Sequence, residues 1–227
     1  MSTTDPATVG PSGVLFDLDG TLVDTVGTRA RAWMEVFDEL GIAYDEAQIR
    51  GLMGADGTRV AREVAAGDGR SIEDAEALEI DRRAGAAFSR LNTHPRALPG
   101  VTELLIALDD QAIPWAIATS SRPDQVQASV DALGLTHAPM ITDGSRVRHA
   151  KPAPDLLLAA AGQARMEPRT TWYVGDSRWD MLAAVAAGML AIGVATGATD
   201  EDALRAAGAR RTYPDLIALS AELAPSA

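Results

Sequence analysis

Two aspartates, Asp17 and Asp19, stand two residues apart in Asp17-Leu18-Asp19-Gly20-Thr21-Leu22-Val23-Asp24-Thr25, directly after the apolar run Gly13-Val14-Leu15-Phe16. A buried strand that ends abruptly in acid and glycine delivers its last side chain into a loop. If the backbone turns sharply there, both carboxylates face one crevice, where the first can attack or bind a metal and the second can trade protons. A lone run of this kind also fits an Asp-Gly turn with Asp24 or Thr25 capping the next helix. Hydroxyls and acids close other apolar runs. Thr119, Ser120 and Ser121 follow Pro-Trp-Ala-Ile-Ala, and Asp176 and Asp180 lie in Gly175-Asp176-Ser177-Arg178-Trp179-Asp180. The basic set is nineteen arginines and one lysine, Lys151, which singles that position out.

These residues need elements to position them. Apolar runs at 13–17, 114–119, 140–143, 171–176 and 190–194 read as strands, and helical spacing recurs over 100–110, 124–133, 154–164 and 179–187. Strands alternating with helices predict an α/β fold, a Rossmann-like doubly wound parallel sheet with its ligand crevice beyond the carboxyl ends of the strands. The interval 26–97 is too long for one crossover and carries helix signals over 28–40, 45–52, 58–66 and 72–91, with Gly51, Gly54 and Gly57 punctuating a loop. The expected organisation is a tail over 1–12, a core of 13–25 and 98–227, and a helical insert over 26–97. The acidic run 73–81 reads as a solvated helix face.

Composition bounds the function. With 227 residues, 47% of them hydrophobic, the chain can bury a substantial core. Thirty-two acidic against twenty basic residues give a net charge of −12, which repels a polyanion, so no nucleic-acid partner is expected. The absence of cysteine excludes disulfides, thiolate ligands and cysteine nucleophiles, and fits a reducing compartment such as the cytoplasm. There is no apolar run of membrane-spanning length and no signal-peptide pattern at the start. The histidines His94, His137 and His149 have no metal-ligand spacing, so zinc is not expected. His149, two residues before Lys151, is placed to touch a substrate. Arg50, Arg59 and Arg62 are candidates to clamp an anionic group, or else solvated arginines, and the four tryptophans read as packing residues.

Taken in order, the four motifs resemble those of the haloacid dehalogenase superfamily of phosphohydrolases: Asp17 to Thr25, Thr119 with Ser120, Lys151 in Ala150-Lys151-Pro152, and Gly175 to Asp180. The insert resembles that family's α-helical cap, as in the phosphoglycolate phosphatase and β-phosphoglucomutase-like subgroup. The resemblance implies an Mg²⁺-dependent phosphatase acting on a small phosphorylated metabolite through an aspartyl-phosphate. Asp17 is then the nucleophile and Asp19 the acid and base, with a pKa above the usual carboxylate value. Thr119, Ser120 and Lys151 bind phosphate, while Asp17, the Asp19 main-chain carbonyl and Asp176 hold Mg²⁺. Asp180 orients a metal-bound water or Lys151. Absence of lysine from the insert argues against a phosphonoacetaldehyde hydrolase, and Asp19 against a dehalogenase. A β-phosphoglucomutase-like phosphotransferase and a phosphoacceptor signalling domain remain alternatives, as do monomer and homodimer.

Overall fold

The computed structural model describes residues 10–223. Of the expected tail, residues 1–9 lie outside the described residues, while the Ser12 amide donates to the Thr170 carbonyl at 3.0 Å. Six strands, β1 (Gly13–Phe16), β2 (Trp115–Thr119), β3 (Ile141–Asp143), β4 (Thr171–Gly175), β5 (Leu190–Val194) and β6 (Arg211–Tyr213), form one parallel sheet in the order β3-β2-β1-β4-β5-β6. The order reverses at β1, so the crevice of this doubly wound sheet opens at the carboxyl ends of β1 and β4.

Strand periodicity divides the core between two faces. Val14, Phe16, Ile117, Trp172, Val174, Ile192 and Val194 point to one side, under the helices α5 (Val101–Asp110), α6 (Pro123–Asp131) and α10 (Leu216–Leu223). Leu15, Ala116, Ala118, Tyr173 and Ala191 point to the other, under α7 (Asp155–Ala164), α8 (Arg178–Ala186) and α9 (Glu201–Ala206). Because both faces are covered, the strands read as continuous apolar runs.

Four helices fill the interval between β1 and α5: α1 (Val26–Leu40), α2 (Glu46–Gly51), α3 (Gly57–Gly67) and α4 (Asp74–Leu91). They form the α-helical cap. α1 stops at Gly41, whose left-handed conformation satisfies carbonyls of the last turn, and Asp45 and Asp56 cap α2 and α3 with their side chains. Ala77, Ile80, Ala84 and Phe88 make the buried stripe of α4, facing Val60 and Val64 of α3 and Trp33 and Phe37 of α1. Trp179, although carried by core helix α8, is buried in this cap cluster. The chain crosses between core and cap at an antiparallel bridge, Val23 to Ala97, flanked by Asp24 N to Arg96 O (2.9 Å) and Leu98 N to Leu22 O (2.9 Å).

Two expectations need correction. The acidic run is solvated as expected except at its end, where Asp81 is part-buried and paired with Arg122 of the core at 3.0 Å. The elements α9, β6 and α10 were not expected from periodicity; β6 is three half-buried residues at the sheet edge, too short to show alternation. Among the described residues no helix is long and apolar enough to cross a membrane.

Candidate active site

The Asp17 amide donates to the Val174 carbonyl at 2.9 Å, which ties the residue after β1 to β4 and sets its side chain at the switch point of the sheet. Its carboxylate is buried, and Oδ1 accepts from Lys151 Nζ at 2.7 Å. The same ammonium donates to Asp180 Oδ1, also at 2.7 Å, and Lys151 is only 1% exposed. Tyr173 donates its hydroxyl to Asp180 Oδ1 at 2.9 Å, and the Ser177 amide donates to Asp180 Oδ2 as part of the capping box that starts α8. Burial alone would discharge Lys151, but the carboxylates of Asp17 and Asp180 outweigh it and hold its pKa well above the usual lysine value.

Asp176 completes the group. Carboxylate oxygens of Asp17, Asp176 and Asp180 lie within 4.8 Å of one another, all buried. Thr21 Oγ1 donates to Asp176 Oδ1 at 3.0 Å. Two glycines leave room for this carboxylate, since a Cβ on Gly197 would fall 1.7 Å from Asp176 Oδ2 and one on Gly20 2.6 Å from it. Burial raises Asp176 well above the usual carboxylate value, and the charges of Asp180 and Asp17 add to it. Asp17 is pushed up to about 7 by burial, against the pull of Lys151. One ammonium therefore leaves three crowded carboxylates under-compensated. Asp180 is committed to Lys151, Tyr173 and Ser177, which leaves Asp17 and Asp176 as hard oxygen donors for a divalent cation. This donor set fits Mg²⁺.

Asp19 turns away from that cluster. It accepts from Arg29 Nη2 at 2.8 Å, Thr25 Oγ1 at 2.7 Å and the Ser121 hydroxyl. Arg29, in the first turn of α1, also donates to Gln125 Oε1 at 3.1 Å and lies over the Phe88 ring, 3.5 Å from its centroid. Burial would raise Asp19, but Arg29, Ser121 and Thr25 together bring its pKa below the usual value, the reverse of what an acid requires. Thr25 has the helix N-cap position but spends its hydroxyl on Asp19 rather than on the helix.

Thr119 is buried at the end of β2, where its Oγ1 accepts from the Ser121 amide at 3.1 Å. Ser120 Oγ is buried and, among the described residues, without a hydrogen-bond partner. Such a group requires an explanation, and a ligand oxygen supplies one. Asp17, Asp19, Thr119, Ser120, Lys151 and Asp176 all line one cavity of about 190 Å³ between sheet and cap; Asp180 sits behind Lys151. His149 is not part of it, being exposed and bonded to Asp155. Arg50, Arg59 and Arg62 are likewise absent from its walls, paired with Glu46, Glu63 and Asp74.

Residues 14–194 match the family model described as haloacid dehalogenase-like hydrolase. The chain belongs to that family. Among relatives of this hydrolase is "Probable phosphatase IndB" of Dickeya dadantii, 34% identical over 200 residues and covering 86% of this chain and 85% of that protein. "Hexitol phosphatase A" of Escherichia coli is 31% identical over 80% of this chain and 82% of its own length. A crystal structure of a hydrolase from Pseudomonas syringae superposes with a TM-score of 0.86 at 35% identity, covering 93% of this chain and 97% of that one. Within the site of this haloacid dehalogenase-like hydrolase, Arg29, Ser121, Thr21 and Tyr173 had no assigned part in the sequence reading. No spacing signals them. Ser121 reaches Asp19 from 102 residues away, and Tyr173 is an inward strand residue whose hydroxyl only the fold aims at Asp180.

Proposed function

We propose that this hydrolase is a phosphatase that cleaves a small-molecule phosphate monoester through an aspartyl-phosphate on Asp17. The observation that carries the reading is the pairing of a lysine-held, buried carboxylate with an unpartnered buried hydroxyl, Ser120 Oγ, in one cavity. An Asp17 oxygen attacks phosphorus, the bond to the ester oxygen breaks, and the departing alkoxide takes a proton from Asp19. Water then attacks the same phosphorus, gives its proton to Asp19, and releases inorganic phosphate with Asp17 restored.

The residues divide this work by their chemistry. Lys151 places one positive charge against Asp17 and the incoming phosphate, with Asp180 and Tyr173 fixing its head. Thr119 and Ser120 donate to phosphate oxygens. Asp17, Asp176 and the Asp19 carbonyl would hold Mg²⁺, which when bound supplies positive charge against the phosphate oxygens. Asp19, ionised by its contact with Arg29, is already set to accept the proton of the attacking water. To protonate the leaving oxygen it must part from Arg29 and first take up a proton from solvent, which it then passes to the alkoxide.

The test is phosphate release from a panel of monoesters. Turnover is expected with Mg²⁺, none after chelation by EDTA, and recovery when Mg²⁺ is returned. Undiminished activity in a metal-free preparation would remove the metal from this reading, and inertness towards every monoester would remove the reading itself.

A further inference from the structure

The cap side of the cavity has the wrong charge for a second anion and the right one for hydroxyls. Every cation that lines the cavity already has a carboxylate: Lys151 has Asp17 and Asp180, Arg29 has Asp19, and Arg122 Nη2 donates to Asp81 Oδ2 at 3.0 Å. Two carboxylates on the cap keep an oxygen without a donor. Asp56 accepts from Thr58 Oγ1 and the Arg59 amide through Oδ1 alone, so among the described residues its Oδ2 accepts nothing. Asp81 uses Oδ2 for Arg122, while its Oδ1, packed against Gly57, has no donor among the described residues. Burial raises the Asp81 carboxyl, Arg122 opposes, and the neighbouring charge of Asp56 adds to the rise, so the pair is only partly neutralised. Beside them Gln125 gives its Oε1 to Arg29 and keeps its Nε2 as a donor.

We infer that the ester's alcohol part is an uncharged polyhydroxylated group, a polyol or sugar, whose hydroxyls donate to Asp56 Oδ2 and Asp81 Oδ1 and accept from Gln125. The inference rests on the phosphatase reading above and names the substrate class of that site. A hydroxyl both donates and accepts, so it satisfies a half-buried carboxylate and an amide together. A carboxylate or second phosphate in the same place would meet two acids with no free counter-charge, and is rejected by repulsion rather than by shape. The arginines of the cap that could have offset it, Arg50, Arg59 and Arg62, are outside the cavity walls. A volume of about 190 Å³ also confines the alcohol to small-metabolite size.

The experiment compares kcat/KM of the full chain with Mg²⁺ for sorbitol 6-phosphate, 2-phosphoglycolate and p-nitrophenyl phosphate. The polyol ester is expected to exceed phosphoglycolate by at least about 100-fold, as for a site that matches hydroxyls and opposes charge. In Asp81→Asn, Arg122 loses its carboxylate, so the polyol ester slows while phosphoglycolate gains, and the ratio between them falls at least about tenfold. A merely damaged fold would slow both and leave their ratio unchanged, and that result would overturn the role of Asp81. Parity or preference for phosphoglycolate in the unmodified chain overturns the substrate class, with no dependence on whether the variant folds. In that case cleavage of p-nitrophenyl phosphate leaves the phosphatase reading standing. Failure to cleave any of the three overturns that reading and this inference with it.

Discussion

Removing the charge of Lys151 shows what it balances. Its ammonium lies 2.7 Å from both Asp17 and Asp180, fully enclosed. Lys151→Met keeps most of the volume but leaves two carboxylates facing each other, and a broken buried pair of this kind costs about 3–5 kcal/mol, to be read by urea unfolding without metal. Lys151→Arg keeps the charge but forces a planar fork into a space fitted to a point charge. That costs about 1–3 kcal/mol in overpacking, and turnover falls by about 100-fold through misplacement. Asp17→Asn acts on chemistry rather than folding. Burial already disfavours the Asp17 charge, so the amide is tolerated and the melting temperature holds, while kcat drops by at least about 10³-fold. Retention of more than about a tenth of the turnover would exclude Asp17 as nucleophile. Asp17, Asp19, Asp176 and Lys151 were legible as candidates because each stands at the end of an apolar run or alone in its type. Arg29 was not, and Ser121 was visible only as one of a run of hydroxyls, because both meet Asp19 only through tertiary contacts.

The loop that follows β5 is an example of how an element builds a site without giving it any reactive group. Gly197 lies so close to Asp176 that an added Cβ would stand 1.7 Å from Oδ2, and Thr196 Oγ1 holds the Gly20 carbonyl at 2.6 Å. Gly197→Ala therefore has to displace the carboxylate. Titration calorimetry is expected to show Mg²⁺ affinity weakened by at least about tenfold, as when a metal ligand loses its supporting contacts. Unchanged affinity would mean that Asp176 does not hold the ion. At this scale the sequence was read best where burial is two-sided, as in β1, β4 and β5, and where helices show a stripe, as in α4. It was read worst at the carboxyl-terminal edge, where β6 and α9 are too short for periodicity to register. Asp81 shows the limit of reading charge runs: the last acid of an otherwise solvated face turns inward, and only its partner Arg122, 41 residues on, reveals it.

At the level of the whole molecule the cavity exists only while cap and core are in contact. Gly54, with φ of 85°, lets the cap loop rest on the core, where a Cβ would fall 2.4 Å from Ser177 Oγ, and beside it Trp179 of the core enters the cap cluster. In Gly54→Ala the left-handed backbone adds about 1–2 kcal/mol of strain. The cap should seat poorly, raising KM for the preferred ester at least about tenfold, since substrate is positioned from both sides. An unaltered KM would mean that the cap does not contribute to binding. The bridge between Val23 and Ala97 has a different consequence. Because the outgoing and returning strands are bonded to each other by Asp24 to Arg96 and Leu98 to Leu22, the sheet meets the whole insert as the tip of one hairpin. Replacing about seventy residues by a four-residue turn would relieve roughly 2–3 kcal/mol of loop-closure entropy. The junction is therefore a natural grafting point: a foreign insert joins the sheet through two backbone hydrogen bonds, and descendants of such a core could exchange specificities by recombination while the nucleophile's strand stays untouched.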